Sequence, residues 1–184
     1  MAEADPRLIE LLSYYRDAEL HGASLLMRLI KLMDDPDAQV KLSLHLHDET
    51  RHAWLWTKRI NDLGAKPMKI ADGYQTRVGL RTVPRTLLDI LALTVVVEER
   101  SYSRYQEHLT KHDNDAQTLA VLKEVTNDEK WHMAWIRLKL LELARQQGDE
   151  GKAEAAIEKY RKIDAEVYAA LKAKEIAVFG ESVA

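Results

Sequence analysis

Two short motifs, Glu49-x-x-His52 and Glu129-x-x-His132, stand 80 residues apart, and each falls on the apolar stripe of a helical pattern. Two further acids, Glu19 and Glu98, fall on the stripes of two other patterns, 79 residues apart. Positions i and i+3 of a helix share a face, about 5–6 Å apart, so each motif turns its Glu and its His toward the core together. An uncompensated charge in an apolar interior is strongly destabilising. Four helices that each bury a carboxylate can therefore pack together only around something cationic. A four-helix bundle enclosing two metal ions meets that condition.

The stripes define the helices. The first reads Leu8, Leu12, Tyr15, Glu19, Gly22, Leu26, Leu29, Met33, after Asp5 as a cap and Pro6 in the first turn. The second, opened by Pro36, reads Ala38, Leu42, His45, Glu49, His52, Trp56, Ile60, Leu63, and ends at Gly64. A third begins near Pro84 and takes Leu87, Leu91, Thr94, Glu98, Tyr102, Tyr105 and Leu109. A fourth takes Thr118, Leu122, Val125, Glu129, His132, Ile136, Leu140 and Leu143, and stops at Gly148. Steps of three and four residues are those of a bundle seam.

Residues 64–83 hold Gly64, Pro67, Gly73 and Gly79 without a sustained period, and read as one long connection. Short links between helices 1 and 2 and between 3 and 4 predict antiparallel hairpins, and the long link can run the length of the bundle. The fold class is therefore all-α: a ferritin-like four-helix bundle with one long crossover between helices 2 and 3, plus a C-terminal fifth helix. One domain is expected over residues 1–184, with the bundle at about 7–147. The fifth helix, about 152–178, carries Ile157, Tyr160, Ile163, Val167 and Leu171 and should pack outside the bundle or on a partner. The paired motifs imply a pseudo-twofold axis through the metal pair.

Composition narrows the chemistry. The chain has no cysteine, which excludes disulfides, iron–sulfur clusters and a thiol nucleophile. Any metal must be held by oxygen and nitrogen. A net charge of −3 offers no general attraction to nucleic acid or to an anionic membrane. The acidic N-terminus shows no signal peptide and no apolar run is long enough to span a membrane, so the expected location is cytoplasmic.

Within the site, Glu49 and Glu129 are placed to bridge two metals, His52 and His132 to bind one each, and Glu19 and Glu98 to close the two ends. Carboxylates with imidazole suit iron or manganese and, less specifically, zinc, so two iron ions are expected, with Mn/Fe or Mn/Mn as variants. Glu98 is preferred to Glu99 because it continues its stripe. Asp48 and Asp128, each preceding a bridging Glu, either accept from the outer nitrogen of a ligand histidine or are polar residues beside the seam. His45, one turn before Glu49, is an added ligand, a proton donor or, most simply, a hydrogen-bonded core histidine. His21, His47, His108 and His112 lie off the stripe and read as surface.

Tyr105, two turns after Glu98, is the tyrosine chosen for a catalytic role, whereas Tyr15 and Tyr102 read as core filling. Trp54, Trp56, Trp131 and Trp135 cluster around the motifs and read as core or interface packing. Thr94 is a small polar group on the seam that can face bound O2. Lys66, Lys69, Arg77, Arg81 and Arg85 make the crossover basic, which reads as a solvated loop before a docking site.

These residues carry a resemblance. Residues 7–147 look like the ferritin-like di-metal carboxylate superfamily. Asp48-Glu-Thr-Arg-His52 resembles the Asp-Glu-x-Arg-His motif of bacterial multicomponent monooxygenases. Segments 48–70 and 124–148 are similar to bacterioferritin, whose ligand set maps onto Glu19, Glu49, His52, Glu98, Glu129 and His132. Bacterioferritin's haem-binding Met would fall at Thr50, so haem is not expected. Glu98 and Tyr105 form a Glu-x6-Tyr pair similar to demethoxyubiquinone hydroxylases. Rubrerythrins would have a second Glu where Ser101 stands, and a cysteine-rich tail.

The resemblance and the ligand set together imply an O2-activating di-iron oxidase or oxygenase acting on a small organic substrate, served by an electron donor the sequence does not name. A ferroxidase and iron store of bacterioferritin type is the second expectation, although the long charged tail after helix 4 fits a cage poorly. A non-catalytic bundle stapled by metal is the third. A homodimer is expected through the outer amphipathic faces.

Overall fold

The computed structural model describes residues 5–111 and 114–179, with side chains to residue 173. His112 and residues 1–4 lie outside that range. Six helices and no strands occur among the described residues: α1 (Pro6–Leu32), α2 (Pro36–Asp62), α3 (Tyr74–Arg81), α4 (Leu87–Leu109), α5 (Ala116–Gln146) and α6 (Gly151–Phe179). None of them is long and apolar enough to cross a membrane.

Each bundle helix starts where its sequence supplies a cap. Asp5 accepts from the backbone N–H of Arg7, Asp35 from those of Asp37 and Ala38, Thr86 from Asp89, and Asp115 from Gln117 and Thr118. Gly64 and Gly148, just past the ends of α2 and α5, have φ of 81° and 73°, the left-handed conformation that a glycine adopts without strain.

Side-chain pairs set the directions. Arg16 reaches Thr57 and Gln39 reaches the carbonyl of Ile30, so α1 and α2 are antiparallel. Arg59 reaches Thr118 while Lys139 reaches Asp35, so α2 and α5 are antiparallel too. Tyr15 packs on Tyr105 and Arg28 reaches the carbonyl of Pro84, which opposes α1 to α4. Hence α2 and α4 run the same way, and residues 63–86 return the chain along the bundle.

That connection is not irregular throughout: it contains α3. Only Tyr74 and Val78 are buried on this eight-residue helix, too short a pattern to show a period. It is held by tertiary bonds. Tyr74 N–H donates to the Tyr14 hydroxyl at 2.8 Å, and the Tyr74 hydroxyl donates to Asp164 of α6 at 2.7 Å. α6 lies along the outside of α4 and α3 and buries Ile157, Tyr160, Val167 and Leu171. Two crossover cations are paired, Arg77 with Asp72 and Arg81 with Glu166.

The core divides into two apolar clusters. Ile9, Leu12, Tyr15, Trp56, Ile60, Tyr105, Leu122 and Val125 form one. Leu26, Leu29, Leu42, Leu91, Ile136 and Leu140 belong to the other, with most of α4's first half and the α6 stripe. Along all four bundle helices, a layer of buried carboxylates and imidazoles falls between these clusters: Glu19 on α1, His45, Glu49 and His52 on α2, Glu98 on α4, and Glu129 and His132 on α5.

Candidate metal centre

Glu19 on α1, Glu49 and His52 on α2, Glu98 on α4, and Glu129 and His132 on α5 come together in mid-bundle, none more than 3% exposed. Their donor atoms, joined by one from His45, form two groups, each within a 4.8 Å span: Glu19, Glu49, His52 and Glu129 in one, and His45, Glu49, Glu98 and His132 in the other. Glu49 belongs to both. Glu129 also spans them, with Oε1 3.7 Å from His52 Nδ1 and Oε2 3.5 Å from His132 Nδ1. Glu98 is the residue turned inward, while Glu99 points out to Arg137 and Arg161.

The atoms facing the centre fit cations. Glu49 Oε1, Glu129 Oε2, His52 Nδ1 and His132 Nδ1 are fully buried and make no hydrogen bond. Such groups are rare in a folded protein and point to an ion. Gly22 gives Glu49 its place: a Cβ there would lie 2.1 Å from Glu49 Oε2.

The outer nitrogens are occupied, in a crossed pattern. His52 on α2 has Nε2 3.2 Å from Asp128 Oδ2 on α5, and His132 on α5 has Nε2 3.3 Å from Asp48 Oδ2 on α2. An aspartate takes the Nε2 hydrogen, so each ring keeps a lone pair on Nδ1, toward the centre. Arg51 pairs with both Asp128 and Glu124, which anchors one of these carboxylates.

Glu19 is held from outside. The Tyr105 hydroxyl donates to Glu19 Oε1, as does Trp56 Nε1 at 3.3 Å, leaving Oε2 3.5 Å from His52 Nδ1. Burial, then the nearby Glu19 charge, pushes the Tyr105 phenol well above its usual range, so it keeps its hydrogen. Tyr15 fills the core beside it, its ring 4.9 Å from that of Tyr105.

Without metal, the centre is electrostatically frustrated. Burial and then the charges of Glu98 and Glu19 push Glu49 up to about 8, and Glu129 is raised for the same kinds of reason. Glu98 is the exception: burial opposes its charge, but His45 and His132 hold it down to about 2. Two dications among these groups would remove the repulsion.

His45 is closer to the centre than a core histidine need be. Its ring is fully buried, stacked on His132 at 3.7 Å, with Nε2 3.2 Å from Glu98 Oε1 and 3.5 Å from Glu49 Oε1, aligned with neither as a hydrogen bond. Burial opposes its charge, yet Glu98 and Glu49 draw its pKa up to about 9. A second proton would have to sit on Nδ1, where Trp135 N–H already points from 3.3 Å. With two dications in place of that attraction, we read the ring as neutral on that ground.

Other positions depart from the sequence expectations. His108 is buried, not at the surface, because its ring packs 5.7 Å from Tyr15 at the end of the first core cluster. The Thr94 hydroxyl donates to the carbonyl of Ile90 at 2.8 Å and is spent on its own helix. Trp56 and Trp135, by contrast, are buried in the core as expected, while Trp54 is 59% exposed.

No protein-family model matches the sequence, and no curated protein matches it. Among solved structures, a dodecameric thioferritin from Bacteroides fragilis, described as a bacterioferritin-related protein, superposes with a TM-score of 0.64 at 20% identity, over 79% of this chain and 92% of that one. The fold is ferritin-like.

Proposed function

We propose that this ferritin-like chain is a di-iron oxidoreductase that uses O2 to oxidise or hydroxylate a small organic substrate. The observation that carries the metal centre is the set of unpartnered, fully buried ligand atoms facing inward while aspartates occupy the outer nitrogens of both histidines. Glu19, Glu49, His52 and Glu129 would hold one iron, and Glu49, Glu98, Glu129 and His132 the other. When bound, the iron supplies the redox and O2 chemistry that the side chains lack. Mn/Fe or Mn/Mn loading suits the same ligands.

The protein's own groups then have distinct tasks. Asp48 and Asp128 fix the ligand tautomers. Tyr105 is the catalytic candidate, since its hydroxyl hydrogen lies on Glu19 at the edge of the centre. A cavity of about 310 Å³ between α1, α3 and α4 supports an organic substrate. Leu25, Val78, Leu93 and Val97 give it apolar walls, and Arg28 and Gln75 add polar groups. Val97 adjoins Glu98 in the chain.

A homodimer belongs to the same proposal. Leu20 and Met27 of α1 and Val40, Leu44 and Trp54 of α2 are exposed on the outer side of one hairpin, an apolar face suited to a second copy. A cytoplasmic setting and a separate electron donor complete it. The second reading, a ferroxidase and iron store, is favoured by the likeness to a bacterioferritin-related protein.

Aerobic titration of the metal-free protein with Fe(II) separates these readings. Retention and oxidation of about two irons per chain supports the oxidase. Uptake of hundreds with a soluble mineral supports the iron store. No uptake contradicts both.

A further inference from the structure

His52 and His132 present Nδ1 to the centre, with an aspartate behind Nε2. His45 is turned the other way. Its Nε2 faces the centre, and behind it Nδ1 meets Trp135 Nε1 at 3.3 Å. An indole N–H can only donate. Nδ1 must therefore accept, and the single hydrogen of the neutral ring sits on Nε2. The nitrogen that faces the second metal position bears a hydrogen instead of a lone pair, and cannot ligate.

The internal repeat shows what this hydrogen is for. Glu19 and Glu98 are counterparts, yet only Glu19 has its outer oxygen tied, by Tyr105 and Trp56. The position equivalent to Tyr105 in the other half is Leu26, an apolar core residue. On the Glu98 side the available donor is His45, 3.2 Å from Glu98 Oε1. Its own counterpart, Val125, is fully buried beside the other half of the centre and offers no ligand.

We propose that His45 is a positioning residue, not a seventh ligand: Trp135 fixes its tautomer, and Nε2–H, 3.2 Å from Glu98 Oε1 but out of line with it in the metal-free centre, donates to that carboxylate once metal draws it into place, leaving it one oxygen for metal. His45 does for Glu98 what Tyr105 and Trp56 do for Glu19. This inference rests on the di-metal reading of the centre.

The test loads protein containing isotopically labelled histidine with a spin-active cadmium isotope, and counts rings with direct cadmium–nitrogen coupling. Wild type should bind two cadmium ions and show two coupled rings, His52 and His132. His45→Gln, which keeps a donor, and His45→Val, which copies position 125, should both still bind two. Binding of the second ion should weaken by about tenfold in the Val variant, which leaves Glu98 without the donor that orients it, and by less in the Gln variant. Trp135→Phe should release Nδ1 to carry the hydrogen and bring a third ring into coupling. Three coupled rings in wild type, or loss of the second ion from both His45 variants, would overturn the proposal while leaving the metal centre standing. A wild type that binds no cadmium would refute the centre and this role with it.

Discussion

His52 on α2 and Asp128 on α5 meet at 3.2 Å, and the mirror pair, His132 on α5 and Asp48 on α2, meets at 3.3 Å. Each half of the internal repeat thus orients the other half's histidine, and the two helices are locked in register at the level of the centre. Asp128→Asn should weaken the metal held by His52, and Asp48→Asn the metal held by His132, each by roughly 10–100-fold. Equilibrium dialysis of the two variants checks this. Equal loss at both positions from either change would contradict the pairing.

Gly22→Ala separates folding from metal binding. Alanine favours a helix by about 1 kcal/mol over glycine. At position 22, however, its Cβ would meet Glu49 Oε2 at 2.1 Å. The variant should keep its helical circular dichroism and lose tight binding of both metals, because Glu49 serves both groups. Unchanged metal affinity would show that the carboxylate does not need that space.

The convergence of the six side chains in mid-bundle was legible because buried acids on an apolar stripe have few alternatives, and the repeat named the stripe twice. Asp48 and Asp128 were half legible, since a residue beside the seam points to a partner only when the facing helix is known. His45 could not be resolved from its own segment. Its orientation depends on Trp135, 90 residues away in the chain. α3 escaped because two buried residues one turn apart make no period. His108 was misread because a polar residue off the stripe is usually solvated, and here Tyr15 covers it.

Tyr105→Phe should leave two metals per chain, because the phenol donates to Glu19 and is not itself a donor to metal. Stopped-flow oxidation of bound Fe(II) should slow by about tenfold or more if the hydroxyl hydrogen takes part in proton transfer. An unchanged rate would reduce Tyr105 to core filling.

The metal-free protein should lose stability as pH rises. Burial, reinforced by Glu98 and Glu19, lifts Glu49 from 4.5 to about 8. Burial opposes the charge on His52, but Glu19 and Glu49 lift it from 6.5 to about 9. Groups that hold protons more tightly when folded contribute fully below their unfolded values, and that contribution disappears as pH passes the folded ones. His132, lowered to about 4 chiefly by burial, and Glu98, held to about 2, complete their changes below pH 6.5 and do not oppose the trend. The melting temperature of metal-free protein should therefore fall between pH 6.5 and 9, the interval set by His52 and Glu49. Metal-loaded protein should not follow, since metal replaces the protons. A flat or rising metal-free curve would contradict this account.

The most direct measurement is anomalous diffraction from crystals grown anaerobically with Fe(II). Two iron peaks are expected about 3.5–4 Å apart, one among Glu19, Glu49, His52 and Glu129, the other among Glu49, Glu98, Glu129 and His132, with His45 in contact with Glu98 but not with iron. A bundle interior without iron, its carboxylates paired to one another through shared protons, would contradict it.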